Sequence, residues 1–107
     1  MSAPALAQAI DRSFLLLSLQ HALLGGVHPQ LRQASIEADT TALHLCLRFE
    51  YDGPPDGEAR EAASISAAEV MADLPAPWSL DEQHLAVPLS QRLQGLAHIG
   101  YRRWEGG

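Results

Sequence analysis

The sequence predicts an α+β fold in which a four-stranded antiparallel sheet carries two helices packed on one face. Two segments have apolar residues at helical spacing, and residues 43–51 alternate strictly between apolar and polar side chains, which is typical of a strand. The chain has 107 residues, 47% of them hydrophobic, which is enough for the core of one domain spanning residues 1–107. The predicted order of elements is helix, hairpin, helix, hairpin.

The first helix is predicted from Pro4 to Leu24, where two glycines provide a stop. Its apolar residues form two rows, of which the first is Leu6, Ile10, Phe14, Leu17 and Leu24 and the second is Leu15, Leu16, Leu19 and Leu23. Two rows are wider than the usual apolar stripe, so the helix is either wedged into the core or uses its second row for a homodimer or another partner. We expect the core placement. The apolar run is too short to cross a bilayer.

A hairpin is predicted next, from the strand LRQASIEAD and the strand TALHLCLRFEYD, with a turn at Asp39 and Thr40. One face of the second strand carries Leu43, Leu45, Leu47, Phe49 and Tyr51. The opposite face carries His44, Cys46, Arg48 and Glu50. Successive side chains of a strand point to opposite faces, so these two sets lie on opposite sides of the sheet. We expect the polar face to meet solvent or a partner.

The second helix is predicted over residues 56–74, between the strand-breaking segment DGPPDG and Pro75. Asp56 is its predicted N-cap. The core face is predicted to comprise Ala59, Ala63, Ala67, Val70, Met71 and Leu74. The opposite, exposed face comprises Glu58, Glu61, Ile65 and Glu69.

The remaining residues predict a second hairpin. WSLDEQHLAV is the third strand, PLSQRLQG is a surface loop, and LAHIGYRRW is the last strand. With both helices on one face, we expect the other face of the sheet to be open to solvent or a partner.

Charge and composition narrow the classes of function. The net charge of −6 and the scattered positions of the seven basic residues argue against nucleic-acid binding. All seven are arginine, so a lysine nucleophile, a Schiff base and a P-loop are excluded. The single cysteine, Cys46, cannot form an internal disulfide, which fits the cytoplasm. We predict no membrane association.

Catalytic and metal-binding candidates are few. His44 and Cys46 share a strand face, but no third group that would orient them can be identified, and an isolated cysteine is commonly a small hydrophobe. None of the histidines has zinc-ligand spacing, although folding could bring His44, His84 and His98 together. We therefore predict no catalytic residue, metal or cofactor. A small enzyme or enzyme subunit that uses the His44/Cys46 face with His84 or His98 is the alternative.

The acidic residues around the Pro-Pro segment suggest a binding surface. They could be a solvated face whose carboxylates stabilise the helix start, or they could form one continuous surface for a basic protein. On the second interpretation an apolar side chain such as Ile65 provides a desolvated anchor. The predicted partner-binding residues are Glu50, Asp52, Asp56, Glu58, Glu61, Ile65 and Glu69.

Four stretches, ALLGGVHPQLRQASIEAD, LRFEYDGPPDGEAREAAS, AAEVMADLP and YRRWE, resemble the immunity proteins of contact-dependent growth inhibition systems. The resemblance covers residues 22–105. It implies a small, cytoplasmic, non-enzymatic α+β protein that neutralises a toxin domain delivered by neighbouring cells, often a nuclease with a basic active site. The Leu-rich first helix and the PLSQRLQG segment depart from the pattern, so no interface residue is carried over. A dimeric scaffold protein remains a further alternative.

Overall fold

The computed structural model describes residues 9–106 and has an α+β architecture. Its elements are α1 (Arg12–Leu23), β1 (Leu31–Asp39), β2 (His44–Tyr51), α2 (Gly57–Ala72), β3 (Ser79–Ala86) and β4 (His98–Arg102). The four strands form an open mixed sheet in the order β3-β2-β1-β4. Within residues 9–106, no helix has both the length and the apolar character needed to cross a membrane.

Helix α1 begins later than predicted, because Asp11 is its N-cap. The Asp11 carboxylate accepts a hydrogen bond from the backbone N–H of Phe14 at 3.0 Å. The part of the predicted helix that precedes residue 9 lies outside the described residues. The second leucine row faces the core, where Leu15, Leu19 and Leu23 are buried. These three side chains are therefore not available to a second copy of the chain.

The predicted hairpin of β1 and β2 is confirmed. The strands pair antiparallel from Leu31 opposite Tyr51 to Asp39 opposite His44. The Asp39 carboxylate accepts hydrogen bonds from two backbone N–H groups of the turn, as an Asx turn does. The apolar face of β2 is fully buried and consists of Leu45, Leu47, Phe49 and Tyr51.

The predicted second hairpin is wrong, and so is the purely antiparallel sheet. Strand β3 pairs parallel with β2, from Ser79 opposite His44 to Ala86 opposite Tyr51. Helix α2 follows β2 and returns the chain to the end of the sheet where β2 began, so β3 must run in the same direction. Strand β4 pairs antiparallel with β1 at the opposite edge.

Helix α2 has the predicted cap and core face. The Asp56 carboxylate accepts a hydrogen bond from the N–H of Ala59 at 2.8 Å. The core combines α1, the apolar face of the sheet and the buried side of α2, which consists of Ala59, Ala63, Ala67 and Val70. The small alanines let the helix pack closely on the sheet.

The face of the sheet opposite the helices, here called the outer face, is partly covered by the chain itself. Residues 87–97, the crossing segment, connect β3 at one edge to β4 at the other. Its backbone N–H groups donate to side chains of the outer face, namely from Gln94 to Glu50, from Leu96 to Ser35 and from Ala97 to Glu37. The expectation of an open outer face is therefore wrong for this part of the sheet.

Arg32 holds the crossing segment in place. It lies at a bulge of β1 and is only 5% exposed. One guanidinium nitrogen donates to the carbonyls of Val87, Pro88 and Gln91 at 2.7, 3.1 and 3.2 Å. The other two nitrogens donate to the Glu105 carboxylate at 2.8 and 3.0 Å. Arg32 thereby ties the crossing segment and the C-terminal residues to the sheet.

Candidate functional site

Glu50 was predicted to bind a partner, but it is fully buried and cannot contribute to a binding surface. It lies on the outer face beneath the crossing segment and accepts hydrogen bonds from Gln33 Nε2, at 3.0 Å, and from the N–H of Gln94. A strand pattern assigns Glu50 to a face but cannot reveal that a distant segment covers that face. Glu50 therefore has a structural role in attaching the crossing segment.

Asp52 follows β2 and is neutralised within the chain. Its carboxylate lies 2.7 Å from a guanidinium nitrogen of Arg103, and both side chains are about three-quarters buried. The hydrogen bond that Arg103 donates to Asp52 raises the pKa of the Arg103 guanidinium above its ordinary value. A carboxylate with a close internal cation attracts an external basic partner weakly, so Asp52 contributes little to an acidic surface.

Asp56 is exposed and caps helix α2. Its negative charge also interacts favourably with the positive end of the helix dipole. The Nε2 atom of His28 lies 4.0 Å from the carboxylates of both Asp56 and Glu58. Two acids therefore lie at the N-terminal end of α2, Asp56 as the N-cap and Glu58 in the first turn. The exposed side of α2 follows directly after them along the chain.

The exposed side of α2 carries the rest of the predicted site. Glu58, Glu61, Ile65 and Glu69, here called the α2 stripe, recur at spacings of three and four and are all exposed. Ile65 is 57% exposed and lies between the acids. Within residues 9–106, Glu61 and Glu69 have no basic side chain within 4.0 Å. The stripe is thus an acidic surface with an apolar residue at its centre.

The outer face also has a small hollow beside the His44/Cys46 pair. It has a volume of about 220 Å³, and His98 is among its lining residues. The Cys46 sulfur lies 3.7 Å from the Asp81 carboxylate, whereas His44 Nδ1 is bound to the Ser79 hydroxyl at 2.8 Å. Burial and the charge of Asp81 raise the pKa of the Cys46 thiol. The site thus favours the thiol over the reactive thiolate.

His84, the other histidine of the predicted alternative, lies on the opposite face of the sheet. Its ring stacks on Phe49, with 5.5 Å between ring centroids, because the parallel register places the two residues side by side. It therefore cannot act together with Cys46. In the part of the chain that the structure describes, no group of three His, Cys, Asp or Glu side chains is arranged to hold a metal ion.

Two exposed apolar residues, one on α1 and one directly after its last residue, were not predicted as binding residues. Leu17 is 67% exposed and Leu24 is 77% exposed, although both belong to the first leucine row. The signal was present in the sequence, since two leucine rows on one short helix exceed what a single core face can bury. The pattern alone could not decide which row faced outward.

Comparison with known families identifies a match that covers nearly all of the described residues. The model of the family described as MafI2 immunity protein matches residues 12–105, which include both helices and all four strands. No curated protein matches the chain. The family match agrees with the resemblance noted above at the level of toxin immunity, and it does not single out contact-dependent growth inhibition systems.

Proposed function

This chain belongs to the MafI2 immunity protein family, and on that premise we propose that it neutralises a cognate bacterial toxin by binding to it. The family match over residues 12–105 is the observation that carries the proposal. We further propose that the toxin is a basic, nuclease-type domain delivered by neighbouring cells, that binding takes place in the cytoplasm, and that the α2 stripe with Asp56 is the contact surface.

Charge distribution supports a basic partner. The chain has a net charge of −6. Several arginines are engaged away from the α2 stripe, since Arg32 and Arg103 pair with acids and Arg48 donates to Gln83. Within residues 9–106, Glu61 and Glu69 of the stripe have no ion pair, and Glu58 has only the imidazole of His28, at 4.0 Å. A negative surface of this kind accelerates association with a positively charged protein and can occupy the place of nucleic-acid phosphates.

The form of the α2 stripe also suits protein binding. It lies on a regular helix of 16 residues whose other side is packed on the sheet, so little ordering is required when a partner binds. Ile65 provides apolar area at its centre, and the surrounding acids would form a polar rim. Inhibition by this route needs no catalytic step in the immunity protein.

Co-expression provides the test of the proposed function. The probe is the toxin domain encoded by the gene adjacent to that of this chain, produced from an inducible promoter with and without the chain. We expect the chain to restore growth and to form a complex with the purified toxin domain on size-exclusion chromatography. An unrelated acidic protein of similar size and charge is the control for general charge effects. Equal loss of growth with and without the chain would contradict the proposed function.

A further inference from the structure

A groove on the helix side of the molecule is lined by residues of both helices and of their C-terminal ends. Its main part has a volume of about 450 Å³ and is lined by Ser18, His21, Ala22, Leu24, Glu69 and Asp73. A smaller hollow of about 190 Å³ shares Ser18, His21 and Asp73 with it and extends it to Leu17. We call the two together the α1-α2 groove. It lies beside the α2 stripe, since Glu69 belongs to both.

The α1 side of the groove has two exposed leucines, Leu17 and Leu24, beside the polar side chains of Ser18 and His21. Leu17 lies on α1, and Leu24 is the C-cap residue directly after the helix, seven residues further along the chain. Both are more than half exposed, whereas Leu15, Leu19 and Leu23 already provide the contacts of α1 with the core. Exposed leucines that the core does not use, grouped along one groove, are typical of a surface that binds another protein.

The α2 wall of the groove is acidic. Glu69 has no ion pair within residues 9–106, and the Asp73 carboxylate accepts a hydrogen bond from the hydroxyl of Ser18 at 2.6 Å. A second copy of this chain docked on the same surface would bring its own Glu69 and Asp73 close to these acids, and such like-charge contacts are unfavourable. Charge therefore favours a basic occupant over self-association.

We propose that the α1-α2 groove receives an arginine side chain of the toxin, with apolar toxin residues against Leu17 and Leu24. The inference rests on the function proposed above and specifies a second part of the contact surface. Arginine combines an apolar stem with a planar guanidinium that can bind carboxylates in a bidentate manner. Its stem would lie on Leu24, and its guanidinium would reach Glu69 and Asp73.

The test measures the affinity of the toxin domain encoded by the adjacent gene for variants of the full chain. The groove variants are Leu17→Ser, Leu24→Ser and Glu69→Gln, and each changes an exposed side chain. Leu89→Ser is the matched control, because Leu89 is 63% exposed but lies in the crossing segment. Circular dichroism and thermal unfolding of every variant check that the fold is retained.

We expect each groove variant to weaken binding by about tenfold or more, with no change for Leu89→Ser. Each toxin arginine is also replaced by alanine. For one of them, the loss of affinity should be large with the unaltered chain and small with the Glu69→Gln variant. Normal toxin binding by all three groove variants would overturn this inference and leave the proposed function standing. Failure of the unaltered chain to bind the toxin would overturn both. Self-association that Leu24→Ser abolishes would identify a second copy as the occupant and overturn the inference.

Discussion

The hydroxyl of Tyr51 lies 2.7 Å from Nδ1 of His84, inside the layer between the sheet and α2. The Nε2 atom of the same imidazole lies 2.6 Å from the Glu82 carboxylate, which also binds the hydroxyl of Ser64 on α2. With a neutral imidazole, Nε2–H donates to Glu82 and Nδ1 accepts the Tyr51 proton, so each polar group has a partner. Burial raises the pKa of the Tyr51 phenol, which remains a hydrogen-bond donor.

Tyr51→Phe should destabilise the fold by about 1–3 kcal/mol, because it leaves buried Nδ1 of His84 without its donor while preserving the ring. Urea unfolding measures the effect as a lower midpoint at unchanged slope. Tyr101→Phe is the matched control, since within residues 9–106 the Tyr101 hydroxyl makes no hydrogen bond to another side chain or to the backbone. Equal effects of the two substitutions would show that the Tyr51 contact does not contribute to stability.

The ion pair between Arg32 and Glu105 predicts a loss of stability in acid. Hydrogen bonds from Arg32 lower the pKa of Glu105 to about 2 from its ordinary value of 4.5. The unfolded chain therefore binds the proton more readily, so the stabilisation is complete above about pH 4.5 and disappears as the pH falls towards about 2. Unfolding free energies of the unaltered chain and of Glu105→Gln should differ at pH 7 and converge across this range.

Glu61→Gln is the control for the acid effect, because Glu61 is an exposed acid with no ion pair in the described part of the chain. The difference in unfolding free energy between Glu61→Gln and the unaltered chain should be small and nearly independent of pH. A constant difference for Glu105→Gln between pH 7 and pH 2 would contradict the predicted linkage.

Gly100 allows the close approach of α1 to β4. A Cβ atom at this position would lie 2.5 Å from a terminal methyl carbon of Leu19 and 3.0 Å from its Cγ atom. Leu19 is fully buried and cannot move away freely. Gly100→Ala should therefore cost about 1–3 kcal/mol of stability through overpacking.

Gly57→Ala is the matched glycine control, since an added Cβ would meet no atom within 4 Å. It should change stability by no more than about 0.5 kcal/mol, as exposed substitutions usually do. Thermal unfolding of the two variants gives the comparison. If Gly100→Ala were as stable as Gly57→Ala, the α1 and β4 packing would be looser than the structure indicates.

Charge reversal on the α2 stripe tests the proposed contact surface. The double variant Glu58→Arg, Glu61→Arg should slow association with the toxin domain by about tenfold or more at low salt and should flatten the dependence of the rate on ionic strength. Stopped-flow or surface-plasmon measurements at several salt concentrations provide the rates. The fold should be unchanged, because both side chains are exposed.

Asp81→Arg gives the same change of charge per residue on the outer face, where Asp81 lies beside Cys46. Its effect on the association rate should be much smaller than that of either reversal on α2, because the sheet and the helices separate it from the stripe. Equal slowing by Asp81→Arg and Glu61→Arg would indicate that net charge alone, and not the α2 stripe, governs association.

Local sequence signals predicted the elements whose formation depends on neighbouring residues. The alternation over Leu45, Leu47 and Phe49 predicted β2 and its buried face, and Asp56 was correctly identified as the cap of α2. The pairing of β3 was missed, because its own sequence is compatible with either strand direction and α2 determines the direction. The burial of Glu50 was missed for a similar reason, since the residue that covers it, Gln94, is 44 positions away.

The crossing segment has a further consequence for the inner strands. Strands β1 and β2 have paired neighbours on both sides, α1 and α2 lie over one of their faces, and part of the other face lies under residues 87–97. Opening their hydrogen bonds to water therefore requires several elements to detach together. In native-state deuterium exchange, the amides of β1 and β2 should be the last to exchange, at rates set by global unfolding, while those of β4 exchange through local opening.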